Sequence, residues 1–143
     1  MSNNIILSIH PQYAKLIENG SKIYEVRTRK ANISKGTRIW IYKTLPVATI
    51  NSYAELDDIL VLAPEIAWRK YAKDMCISQK AFSQYVKDKK EIYLLKIKNV
   101  KQTKNHITLE ELRKKIPPFY PPQFFKKLDE NSDILKALLK LLK

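Results

Sequence analysis

Apolar and polar positions along this 143-residue chain change period several times, and each change marks an element. Ile5-Ile6-Leu7-Ser8-Ile9 is an almost unbroken apolar run, the pattern of a strand buried on both faces. Pro11 suits the first position of a helix, Tyr13, Leu16 and Ile17 make its apolar stripe, and Gly20 fits the left-handed residue that ends it. Residues 23–28 then alternate, so Glu25 and Arg27 share one side, about 6.5 Å apart along the strand, and Tyr24 and Val26 share the other. After loop chemistry at 32–36, residues 37–43 alternate again, with Ile39 and Ile41 on one face and Arg38, Trp40 and Tyr42 on the other. That second face is open to two readings. It is an aromatic and cationic platform for a base and its phosphate, or an apolar layer under a helix with Trp40 in the core.

Leu45-Pro46 breaks this strand, and residues 47–62 read as extended, with an interruption near Asp57-Asp58. Pro64 opens a helix through about Tyr71, which buries Ala67, Trp68 and Tyr71. Ser78 is the N-cap of a second helix, whose stripe of Ala81, Phe82, Tyr85 and Val86 reads as core. Residues 92–100 predict a strand that places Lys96 and Lys98 on one face. Thr108 and Glu111 have capping-box spacing and open a short helix to about Lys114. The proline-dense stretch 116–125 is a stiff connector, able to hold Gln123 and Phe124 at the mouth of a cleft or to pack as a lid. Ile134, Leu135, Leu138, Leu139 and Leu142 then form the stripe of an amphipathic helix over 132–143. Such a short helix is marginal alone, so it is expected to pack back on its own domain; a partner or a second copy (a homodimer) on the same stripe is the next reading, and a basic membrane-surface helix the third.

Charge adds a second layer to this picture. The formal net charge is +13, and two segments hold most of it. Residues 22–43 carry seven cations (Lys22, Arg27, Arg29, Lys30, Lys35, Arg38, Lys43) against Glu25, a net of +6, and residues 86–104 carry seven lysines against Asp88 and Glu91, a net of +5. Concentrated positive charge suits a surface that tracks phosphates, although lysine on any solvated face produces the same count. Cys76 is the single cysteine, which excludes an internal disulfide and fits a reducing cytoplasm. With two histidines and one cysteine, no metal site and no cofactor is expected. The N-terminus lacks the features of a secretion signal, and no apolar run approaches the roughly 18–20 residues of a membrane span, so a cytoplasmic protein without membrane association is expected.

Four short motifs occur in a telling order: Ser8-Ile9-His10-Pro11-Gln12-Tyr13-Ala14, then Gly20-x-Lys22-x-x-Glu25-x-Arg27, then Ile39-Trp40-Ile41-Tyr42, and last Pro121-Pro122-Gln123-Phe124. In that order they resemble the ASCH domain family. The resemblance covers roughly residues 5–128 and implies an α+β, PUA-like fold: a small β-barrel of about five to six strands flanked by helices, with a cleft used for nucleic acid or modified nucleosides. On that basis the chain divides into an ASCH domain at 1–128 and a C-terminal amphipathic helical extension at 129–143. The family includes binding modules, nucleases and hydrolases of acylated cytidine. The acylcytidine-hydrolysing branch usually has Thr where this chain has Glu25, and an acidic residue before the second helix that Asp74 loosely matches.

The expected function is therefore a nucleic-acid-binding module, RNA ahead of DNA, or one for a modified nucleoside. The alternatives are a hydrolase of acylated cytidine or RNA, with Lys22, Glu25 and Asp74 catalytic, and a protein-interaction domain using the terminal helix. Candidate ligand-binding residues are Ser8, His10, Arg27, Arg29, Arg38, Tyr42, Lys43, Lys96, Lys98, Gln123 and Phe124.

Overall fold

The computed structural model describes residues 3–143. Among these described residues six strands, β1 (Asn4–Ile9), β2 (Tyr24–Arg27), β3 (Arg38–Lys43), β4 (Thr49–Leu62), β5 (Ile92–Thr108) and β6 (Phe125–Leu128), form one sheet in the order β2-β5-β4-β3-β1-β6. β1 runs parallel to β3, and every other pairing is antiparallel. The sheet curls into a half-barrel, and with its five helices the fold is α+β. The helices are α1 (Pro11–Glu18), α2 (Pro64–Met75), α3 (Gln79–Tyr85), α4 (Leu109–Lys115) and α5 (Asp133–Leu139), the last extended by a 3-10 turn at Lys140–Leu142.

Strand alternation sorts the apolar side chains into separate layers. Ile5, Leu7, Ile9, Ile39, Ile41, Leu56 and Leu95 pack on one face against Ala14 and Ile17 of α1. Ile6, Trp40, Tyr42 and Ile50 point the other way, into a second core closed by Leu112 of α4 and by Ile134, Leu135 and Leu138 of α5. Trp40 is 0% exposed and donates its indole N–H to the Asn4 side chain at 2.9 Å. The face carrying Trp40 and Tyr42 is thus the apolar layer under helices, and Tyr42 is core. The terminal stripe packs on its own chain, with Leu141 buried in place of Leu142 and Leu139 left exposed. A third core joins Tyr24, Val26, Ile92 and Leu94 to Ala67 and Met75 of α2, to Phe82 of α3 and to Val86, the residue that caps it.

Several boundaries differ from the sequence reading. The helix expected to end near Tyr71 runs to Met75, where Cys76 adopts the left-handed conformation (φ 50°) that stops it. The strand expected over 92–100 continues to Thr108. Its second half is largely exposed and carries no apolar alternation, so cross-strand bonds to β4 hold it in place of a core. The interruption near Asp57-Asp58 is a register shift inside a continuous β4. β6 follows the proline segment and pairs with β1, an element the proline-dense pattern concealed. Tyr85, placed in the α3 stripe by helical spacing, is 45% exposed.

Cross-strand pairing also revises the charge map. Lys96 meets Asp57 at 3.5 Å, Lys98 meets Glu55 and Asp57 at 3.3 Å each, and Lys35 meets Asp58 at 3.5 Å. Part of the charge that is concentrated along the chain is therefore neutralised in space by acids of β4.

Candidate functional site

Between α1, α3, the end of β1 and β2 lies a cavity of about 590 Å³, within the usual range for small-ligand sites. Its floor is an ionic cluster built on β2. The strand's two-residue period puts Glu25 and Arg27 on one side, and Arg27 Nη2 donates to Glu25 Oε2 at 2.6 Å. Lys22, brought in by the turn after α1, stands 3.5 Å from the other Glu25 oxygen. Lys22 also donates to the Met75 carbonyl at the end of α2, and its ammonium lies 5.0 Å from the Tyr13 ring centre. Only 3% of Lys22 is exposed.

Arg27 spans the open side of the sheet. Its Nη2 also donates to the Ser8 carbonyl at the end of β1, at 2.8 Å, and its guanidinium lies 4.8 Å from the Phe124 ring centre. The Ser8 hydroxyl in turn donates to the Pro122 carbonyl at 2.6 Å, which fastens the proline segment to the cavity wall. His10 and Thr44 face each other at 3.4 Å on the rim, while Gln123 and Tyr85 complete the lining.

Burial pushes the Lys22 ammonium below its ordinary value of 10.5, and the adjacent Glu25 carboxylate opposes that shift. Between the lowered folded value and 10.5 the unfolded chain binds the extra proton, so this residue makes stability rise as pH climbs through that window. The burial cost is present in full at lower pH. Lys22→Met is expected to remove this contribution, so wild type should gain stability relative to the variant as pH climbs toward 10.5. Urea unfolding of both proteins across that range measures it, and two parallel pH profiles would contradict it.

The remaining candidate residues lie elsewhere. Asp74 does not line the cavity; its carbonyl accepts the Ile23 N–H at 2.8 Å, and the carbonyl of the next residue, Met75, is the group that meets Lys22. Arg38 stacks on Tyr53 and Trp40, with its guanidinium 4.8 and 5.6 Å from their ring centres, on the face away from α1. Tyr42 is buried in the second core. Lys43 pairs with Glu18 at 2.9 Å, and Lys96 and Lys98 are held by β4 acids. Arg29 lines an adjoining depression, and Phe124 is the buried plate beneath Arg27. Sequence reasoning passed over Gln12, Thr44 and above all Tyr13 and Tyr85 as cavity residues. Both tyrosines sit on the edge of an apolar helical stripe, where spacing does not separate a buried ring from one that borders an opening.

The domain model for the ASCH domain matches residues 7–125. The chain belongs to the ASCH domain family. An ASCH domain-containing ribonuclease of Zymomonas mobilis is 30% identical over 120 residues, covering 82% of this chain and 79% of that protein. A crystal structure of ASCH from Zymomonas mobilis superposes with a TM-score of 0.90 at 25% identity, over 99% of this ASCH chain and 96% of the other. A segment of the large ribosomal subunit protein uL22 of Ureaplasma parvum is 24% identical over 110 residues, 77% of this chain and 35% of that protein. The fold also recurs in the N-terminal domain of Staphylothermus marinus McrB, with a TM-score of 0.55 at 10% identity, over 99% of this chain and 93% of that one.

Proposed function

We propose that this ASCH domain acts on RNA by taking one unstacked nucleotide of a single strand into the cavity. The observation that carries this reading is the joint presence, around one opening of about 590 Å³, of a buried cationic floor and two bordering tyrosines. Sequence-tolerant capture of single strands combines an aromatic face for the base with cations for the backbone. Tyr13 and Tyr85 supply the first, Arg27 and Lys22 the second, and Gln12, Thr44 and Gln123 are neutral groups able to pair with a base edge. The ribonuclease and the ribosomal protein among the relatives support RNA as the ligand.

Cleavage of the bound strand is the second reading, favoured by the relative named as a ribonuclease and by the pKa of Lys22, which burial lowers. An ammonium whose pKa is brought toward neutrality is a better proton donor to a leaving oxygen, and His10 on the rim is of the type most often used to take a proton. Both Glu25 oxygens are occupied by cations, which fits a positioning role.

Wild type and Lys22→Ala are to be incubated with single-stranded RNA, duplex RNA, single-stranded DNA and acylated cytidine, with complexes and products followed separately. Single-stranded RNA is expected to bind best, with log affinity falling linearly in log salt by about 0.7 per phosphate engaged. RNA fragments from wild type and none from Lys22→Ala, at comparable affinity, would establish the second reading. Failure of any RNA to bind at low salt would overturn both.

A further inference from the structure

Two smaller depressions continue from the cavity. One of about 250 Å³ shares Arg27, Tyr85 and Gln123 with it, and shares Arg29, Gln123 and Phe124 with a third, of about 580 Å³, that ends at Lys30, Lys126 and Tyr120. Walls held in common make these a single groove from the buried Lys22 cluster to the exposed start of β6.

The groove's cations differ from several that lie on or beside the sheet. Lys35, Lys43, Lys96 and Lys98 all face carboxylates. Arg29, Lys30 and Lys126 are exposed and have no carboxylate partner among the described residues. Tyr120 stands among them with 70% of its surface open, held between Pro117-Pro118 and Pro121-Pro122 of the proline-stiffened stretch. An exposed aromatic ring beside three unpaired cations, in line with a cavity of nucleotide size, is the arrangement a single strand needs on leaving that cavity. Cations without partners release their counterions to phosphate with no ion pair to break.

We infer that the surface formed by Arg29, Lys30, Lys126 and Tyr120 is a strand-binding track, which holds the nucleotides next to the one in the cavity and makes extended single-stranded RNA, rather than a free nucleotide, the preferred ligand. This rests on the cavity's being a nucleotide site. Arg29 and Gln123 sit at the junction and guide the backbone from one chamber to the next.

The test measures anisotropy of a labelled single-stranded RNA of about ten nucleotides, a length suited to such grooves, and separately the occupancy of the cavity by a mononucleotide through shifts of Tyr13 and Tyr85 resonances. The combined variant Arg29→Ala, Lys30→Ala, Lys126→Ala is expected to lose at least tenfold in strand affinity at moderate salt and to show a log–log salt slope shallower by about 2, as three lost phosphate contacts require. Its mononucleotide shifts should match wild type. Tyr120→Ala should weaken strand binding roughly fivefold to a hundredfold with the salt slope kept. A control that removes equal charge at another exposed turn, Lys87→Ala, Lys89→Ala, Lys90→Ala, should leave strand affinity near wild type. Equal losses in the groove and control variants, or no loss in the groove variant, would overturn the track and leave the cavity reading intact. Strand binding lost in the groove variant, with no mononucleotide shifts even in wild type, would sink the cavity reading and keep the track as a separate RNA surface. No RNA binding by wild type would overturn both.

Discussion

Glu25→Ala is expected to cost about 3–5 kcal/mol of stability, the usual penalty for leaving a buried charge without its partner. Here two cations are orphaned at once. Lys22 stands 3.5 Å and Arg27 2.6 Å from opposite oxygens of the same carboxylate, and little of any of the three side chains reaches solvent. Among the described residues no other carboxylate meets either cation; Lys22 otherwise has the Met75 carbonyl and Arg27 the Ser8 carbonyl. The expected result in urea unfolding is a large drop in midpoint with an unchanged slope. Lys22→Met in the Glu25→Ala background should recover part of the loss, because it removes one of the two stranded charges. A single variant as stable as wild type, or a double variant less stable than the single, would show that solvent or a rearranged group screens the cluster.

Ending the chain after residue 130 is expected to abolish cooperative folding. Ile134, Leu135, Leu138 and Leu141 are all buried, and at about 1.5–3 kcal/mol for each fully buried side chain their burial contributes on the order of 6–12 kcal/mol. A domain of this kind has about 5–15 kcal/mol in total. The truncation would also uncover Trp40 and Leu112 in the middle of the second core. Circular dichroism and a thermal scan decide the matter, and a sharp transition in the shortened chain would make the terminal helix an accessory. Leu138→Ala, expected to cost about 2–5 kcal/mol, tests the same packing in a chain that still folds.

Local pattern made some of this legible and physical reasons hid the rest. β1, α1, β3 and the capping box at Thr108 follow from apolar period, proline and cap chemistry, each of which acts within a few residues. The Glu25–Arg27 pair was readable because a two-residue period fixes which side chains share a side. What the sequence left dark depends on distant partners. The outer half of β5 is a strand because β4 lies beside it, and Lys96 and Lys98 lose their free charge to acids about forty residues earlier. Tyr85 and Phe82 have equivalent spacing on α3, yet only Phe82 has the third core beneath it. Asp74 matches the family's acidic position before the second helix, whereas the group that reaches Lys22 is the backbone one residue later.

The Ser8 hydroxyl on the Pro122 carbonyl, and Arg27 laid across Phe124, join residues more than ninety positions apart. During synthesis the chain emerges from its N-terminus, so Ser8, Lys22 and Arg27 exist long before the wall at Pro122 and Gln123 has been made. Until that wall has emerged, a nascent copy holds the cationic floor without the rim that encloses it, so the cavity forms late however early its charged residues are made.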